Sequence, residues 1–168
     1  MFAKCRGAKI LARLSGWGAS CDAHHTTAPH PEGEGAVAAM QAALRRAGLD
    51  SSTINYINAH GTGTPSNDAT ETAAIRDVFG DRAEEIPVSS TKSMHGHALG
   101  AAGAIEAAAT LFAIHEGILP PTANFTEPDP ACSLDVVPNA ARAAIVQYAL
   151  SNSFAFGGLN AVLVLGKI

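Results

Sequence analysis

Charged residues are scarce in this 168-residue chain, 15% against 47% hydrophobic, which excludes disorder driven by charge. Basic residues are not in excess: 11 Lys and Arg face 15 Asp and Glu. A net charge of −4 leaves no general basic surface for nucleic acid. Cysteine is limited to Cys5, Cys21 and Cys132, an odd number at wide spacing that makes no disulfide framework and fits a reducing compartment. Met1 to Ile10 has no apolar run of signal-peptide length, so the expected location is the cytoplasm. Ala98 to Ile114 is almost wholly apolar, yet it is mostly Ala and Gly and contains Glu106. It reads as a helix buried inside a protein, not as a membrane span.

What is present is punctuation. Sixteen Gly and nine Pro mark tight turns, and no linker or repeat divides the chain, so residues 1–168 read as one domain. A strand is predicted over Lys9–Ser20, followed by an exposed connection through Asp22–Gly35. Val37, Met40, Ala43, Leu44 and Ala47 keep a helical period over Ala36–Ala47, with Gly48 at the stop. Tyr56–Ala59 is a short strand. Asp68 and Glu71 read as a capping pair for a helix to Phe79, closed by Gly80. A strand at Ile86–Ser89, a polar loop at Thr91–Gly96 and a helix from Leu99 to Glu116 follow. Pro120–Pro130 is an extended connection. Leu134–Val137, Ala144–Leu150 and Ala161–Gly166 read as strands, the last two separated by a turn at Phe154–Gly158. Such alternation predicts an α/β fold, a buried sheet covered by helices.

Three segments hold polar residues that a core does not ask for. His60-Gly61-Thr62-Gly63-Thr64 ends a strand; its glycines admit a ligand close to the backbone, and its hydroxyls can bond it. The bland alternative is a turn with an incidental His. Thr91-Lys92-Ser93 and His97 precede the Ala-rich helix, where unpaired N–H groups disfavour imidazolium and keep His97 a neutral donor. Glu106, about two and a half turns further along, needs a partner on so apolar a helix, and Lys92 is the candidate. Without that context Lys92 is a solvated surface residue. Asn152 to Gly158 carries Phe154 and Phe156 beside paired Gly. It is either a plain hairpin turn or a source of backbone N–H groups with a movable aromatic wall. Cys21, Asp22, His24, His25 and His30 match no compact set of zinc ligands, so no metal is expected.

In order and spacing, these three segments closely resemble the C-terminal half of the β-ketoacyl-acyl carrier protein synthases, nearest the elongating synthase II type. The resemblance runs from about Arg6 to Ile168. It implies one half of a thiolase fold, a five-stranded mixed sheet packed by helices, and a decarboxylating Claisen condensation in fatty acid biosynthesis. Position by position, His60 and His97 resemble the two active-site histidines, which donate N–H to the malonyl thioester oxygen. Lys92 resembles the active-site lysine and Glu106 the carboxylate that holds it. Thr62 and Thr64 resemble the hydroxyls that meet the pantetheine arm. Phe156 resembles the gating phenylalanine whose N–H enters the oxyanion hole, with Phe154 and Gly157 beside it in the substrate-binding turn. No cofactor is implied beyond the phosphopantetheine arm of acyl carrier protein.

Two residues depart from the family pattern: Ala155 replaces a glycine, and Leu159 stands where Thr is frequent. The N-terminal half with its nucleophilic cysteine is absent, and none of the three Cys replaces it. The expected partners are therefore acyl carrier protein and that missing half or a homodimer mate, with the isolated chain inactive. The alternative is a non-catalytic subunit like the chain-length factors of polyketide synthesis. Retention of His60, Lys92 and His97 together counts against it.

Overall fold

The computed structural model describes residues 2–168. In chain order the elements are α1 (Phe2–Cys5), β1 (Arg13–Cys21), α2 (Glu34–Ala47), β2 (Tyr56–Asn58), α3 (Pro65–Phe79) and β3 (Val88–Ser89). They continue with α4 (Lys92–His95), α5 (Ala102–Glu116), β4 (Ile118–Leu119), β5 (Arg142–Ala143), β6 (Tyr148–Ala155) and β7 (Leu159–Gly166). Five strands form one mixed sheet in the order β1-β7-β6-β2-β3, and β4 pairs with β5 in a separate ribbon. β7 runs antiparallel to both β1 and β6, whereas β2 is parallel to β6 and to β3.

Each face of the sheet has its own core. On one, Ala39, Met40 and Ala43 of α2 and Ala74, Ile75 and Phe79 of α3 pack with Ile57, Leu150, Val162 and Val164. On the other, Ala113 and Ile114 of α5 meet Tyr56, Ala149 and Leu165. α2 lies hard against β1 because Gly18 has no side chain: a Cβ there would stand 1.9 Å from the Ala39 carbonyl oxygen. The opposite side of α5 is bare. Ala104, Ile105, Ala108 and Phe112 recur along it and are all exposed, Phe112 to 56%, which leaves an apolar stripe that no described residue covers.

Several expectations need correction. The first strand is Arg13–Cys21, later than Lys9–Ser20, and α2 begins at Glu34. α3 starts at Pro65, whose fixed φ and missing N–H suit the first helical position, so Asp68 and Glu71 lie inside it rather than capping it. The Thr91–Gly96 segment is not a plain loop, since Lys92–His95 form a helical turn. Leu99–Ala101 is a 3-10 turn, and the α-helix proper starts at Ala102. Leu134–Val137 is not a strand. Asp135 accepts the Val88 N–H and Val137 the Thr122 N–H, single bonds to two different neighbours. Val137 itself turns to φ 47, which ends any extended run.

β6 occupies Tyr148–Ala155 instead of Ala144–Leu150. Asn55 Oδ1 accepts the Gln147 and Tyr148 amides and fixes where it begins. Pairing with β7 then continues through Ala155↔Leu159. Only Phe156–Gly158 remain as turn, with positive φ at both glycines.

Candidate active site

Two parallel strand ends and the helices that follow them build the site. β2 ends at Asn58 and delivers His60 on the loop before α3, while β3 ends at Ser89 and leads into α4, which carries Lys92. His97 follows on the turn before α5. The His60 and His97 rings meet edge to face, centroids 5.5 Å apart. Phe154 closes another side of His60 at 5.7 Å.

The tautomers follow from the hydrogen bonds. His97 Nδ1 accepts the Leu99 N–H at 3.1 Å, which requires a lone pair there and places the ring proton on Nε2. This contact, not the N-terminus of α5, orients the His97 ring, because the 3-10 turn separates His97 from that helix. At His60 the Lys92 ammonium lies 3.3 Å from Nδ1, which again leaves Nε2–H as the donor. Burial, then the Lys92 charge, then His97 push the His60 pKa down to about 3. His60 is thus a neutral donor throughout the working range of pH.

Lys92 and Glu106 form a buried ion pair, side chains 4% and 0% exposed. Lys92 also donates to the His60 carbonyl at 2.6 Å, and Ser153 Oγ donates to the second Glu106 oxygen at 3.4 Å. The expected pairing of Lys92 with Glu106 is present, and it ties α5 to the His60 loop.

Glu71 is a residue that the sequence reading misassigned. Its carboxylate accepts the His60 and Gly61 N–H groups, both at 2.9 Å, and the Asn152 amide at 3.1 Å. Burial pushes its pKa up against these bonds, which pull it down. The signal was available: Glu71 shares the inner face of α3 with Ala74, Ile75 and Phe79, where a carboxylate has no solvent reason to sit. Asn152 Oδ1, on the amide that bonds Glu71, and Asn58 Oδ1, on the side chain that bonds α5, are buried with no hydrogen-bond donor among the described residues.

Thr62 and Thr64 share a hydroxyl–hydroxyl hydrogen bond of 2.8 Å at the loop's outer edge. A cleft of about 610 Å³ opens beside them, lined by Thr62, Lys92, Ser93 and His97 and, opposite, by Asn124 and Phe125. His60, Thr64, Glu106, Phe154, Phe156 and Gly157 are not among its walls, so of the two histidines only His97 lines the cleft directly. Phe156 sits in the β6–β7 turn, 77% exposed, and Gly157 is held there by its N–H on the Thr26 carbonyl. Cys21, Asp22, His24, His25 and His30 form no group of metal-holding side chains among the described residues. Asp22 instead accepts the His30 amide N–H and the Asn160 amide group.

With this geometry in place, the comparisons become specific. Residues 11–126 match the family described as beta-ketoacyl synthase, C-terminal domain. The chain is 54% identical over 165 residues to a 3-oxoacyl-[acyl-carrier-protein] synthase 2 of Synechocystis, covering 98% of this chain and 40% of that protein.

The chain belongs to the β-ketoacyl synthase C-terminal domain family.

This synthase domain is also 53% identical to nodulation protein E of Rhizobium meliloti, over 99% of the chain and 41% of that protein. Among solved structures it resembles the ketosynthase of a type II PKS in complex with its acyl-carrier protein, bound to the hexaketide. The TM-score is 0.96 at 41% identity, over 99% of this chain and 41% of that one. The fold is therefore thiolase-like, as in ketosynthases. The synthase domain spans about 40% of the length of these relatives. Among its described residues no helix is long and apolar enough to cross a membrane.

The depressed His60 pKa carries a stability consequence. Between about 3 and 6.5 the unfolded chain binds a proton at this site and the folded one does not, so stability rises with pH in that window. Acidification from pH 6.5 toward 3 is expected to cost roughly 4 kcal/mol through His60. Denaturant unfolding against pH, compared with His60→Gln, checks it. The difference between the two curves isolates His60, since the raised carboxyl of Glu71 acts in the opposite direction. Parallel curves would mean that His60 titrates normally.

Proposed function

We propose that residues 1–168 act as the carboxy-terminal half of a 3-oxoacyl-acyl carrier protein synthase. The half supplies the decarboxylation chemistry of a Claisen condensation. The observation that carries this reading is the pair of imidazole rings, centroids 5.5 Å apart, each with Nδ1 engaged and Nε2–H left as the donor. A malonyl thioester has a carbonyl oxygen that becomes negative as carbon dioxide leaves. Two donors directed at that oxygen stabilise the enolate, and each is worth ~3 kcal/mol of barrier. The electrons of the broken carbon–carboxyl bond pass into the enolate. Its carbon then attacks an acyl thioester carried by a cysteine and expels the thiolate. Lys92 holds His60 in place and keeps its proton on Nε2, and Glu106 neutralises Lys92.

The cysteine would come from an amino-terminal half or a homodimer mate, and the apolar stripe of α5 is a suitable face for such a partner. The remaining partner is acyl carrier protein, whose phosphopantetheine arm would meet Thr62 and Thr64. Phe156, exposed in its turn and flanked by Phe154 and Gly157, would gate the acyl pocket once the second half is present. No resident cofactor is needed, nor any nucleic acid or membrane, and the cytoplasm is the natural setting.

Coexpression with a cysteine-bearing half tests the reading. A one-to-one complex that releases carbon dioxide from malonyl-carrier protein and forms a β-ketoacyl product is expected. The chain made alone is expected to self-associate through α5, as read by light scattering. A well-formed complex that releases no carbon dioxide would overturn the assignment.

A further inference from the structure

All four backbone polar groups of His60 and Gly61 are engaged. Both N–H groups go to Glu71, and the His60 carbonyl goes to Lys92. The Gly61 carbonyl accepts the Ser90 hydroxyl at 2.5 Å. Ser90 is the last bond of this grip, and it stands on the chain that leads directly into Lys92 and His97.

Ser90 is itself held from behind. Its N–H donates to Thr122 Oγ1 at 3.1 Å, and its carbonyl accepts Ser93 Oγ at 2.7 Å. Ser93 Oγ accepts the Ala123 N–H at 2.8 Å. The 122–123 strap is thus bonded to both ends of the turn that carries Lys92. The fit at Gly61 is close as well: a Cβ there would stand 2.5 Å from Ser90 Cβ, and φ is +41°. Hydrogen bond and close fit together tie the His60 loop to the chain that leads to His97.

We propose that Ser90 is a positioning residue that sets the separation of the His60 and His97 rings, backed by Thr122 and Ser93. This rests on the paired-donor reading above and adds to it the part that aligns the donors. Alignment matters because a displacement of about 1 Å at a reacting centre can cost a hundred-fold in rate.

The test uses the chain assembled with a cysteine-bearing half and compares Ser90→Ala with the unchanged protein. The turnover number for malonyl-thioester decarboxylation is expected to fall about ten- to a hundred-fold, with KM unchanged within about two-fold. The imidazole nitrogen NMR signals of His60 and His97 are expected to shift together. Unchanged turnover with unchanged signals overturns the proposal, as does a loss confined to KM. If the signals shift but the unchanged protein releases no carbon dioxide, the clasp stands and the proposed function falls. Should Ser90→Ala not fold, Thr122→Val is read in its place, since it keeps the side-chain shape and removes the acceptor for the Ser90 N–H. Ring signals unmoved in that variant also overturn the clasp.

Discussion

Replacement of His97 by alanine is expected to lower malonyl decarboxylation about a hundred- to a thousand-fold in the assembled enzyme. The ring is exposed and its Nδ1 accepts a single backbone N–H, so its removal leaves no buried group unpaired. The loss should appear in turnover and not in the melting temperature. His60→Ala removes an equivalent donor, but it also takes away the ring that faces the Lys92 ammonium. It should therefore reduce both rate and stability. With both rings proposed to serve one oxygen, the double variant should cost less than the sum of the two single losses in barrier. Carbon dioxide release from labelled malonyl-carrier protein measures all three. Full activity in His97→Ala would remove the enolate cradle from consideration.

The second large effect is expected at the Lys92–Glu106 pair. Both side chains are out of water, so removing one strands the other's charge in a medium that cannot solvate it. Glu106→Ala should destabilise the fold by about 3–5 kcal/mol, which lowers the melting temperature by roughly 6–20 °C for a chain of this size. Joint replacement, Lys92→Met with Glu106→Leu, keeps the volume and removes both charges, and it should restore most of that loss. The double variant should still be a poor catalyst, since nothing then keeps the His60 proton on Nε2. Thermal unfolding and decarboxylation, measured on the same preparations, separate these two results. A Glu106→Ala protein that melts with the unchanged one would show the pair to be solvated.

Positions of the histidines and of Lys92 were legible in the chain because glycine-rich, hydroxyl-rich segments at strand ends are unusual in a core. The need of Glu106 for a cation was equally visible, since nothing else on its helix is charged before His115 and Glu116. Glu71 was misread because its spacing from Asp68 imitates a capping pair. Pro65 settles where the helix begins, and only then does Glu71 turn inward. Leu134–Val137 has strand composition, but its backbone groups bond singly to Val88 and Thr122, partners no local pattern names. β6 ran past its expected end for the same reason, as pairing with β7 carries it to Ala155.

The chain alone determined the alternation of strands and helices, the glycine stops after α2 and α3, and the residue types able to cradle a negative oxygen. Those properties are local, set by periodicity and by the backbone freedom of single residues. Tertiary structure decided which carboxylate grips the His60 loop, which nitrogen of each imidazole carries the proton, and how far apart the rings stand. These depend on bonds between residues tens of positions apart, such as Ser90 with Gly61 and Lys92 with His60. Such bonds form only when the sheet brings the ends of β2 and β3 side by side.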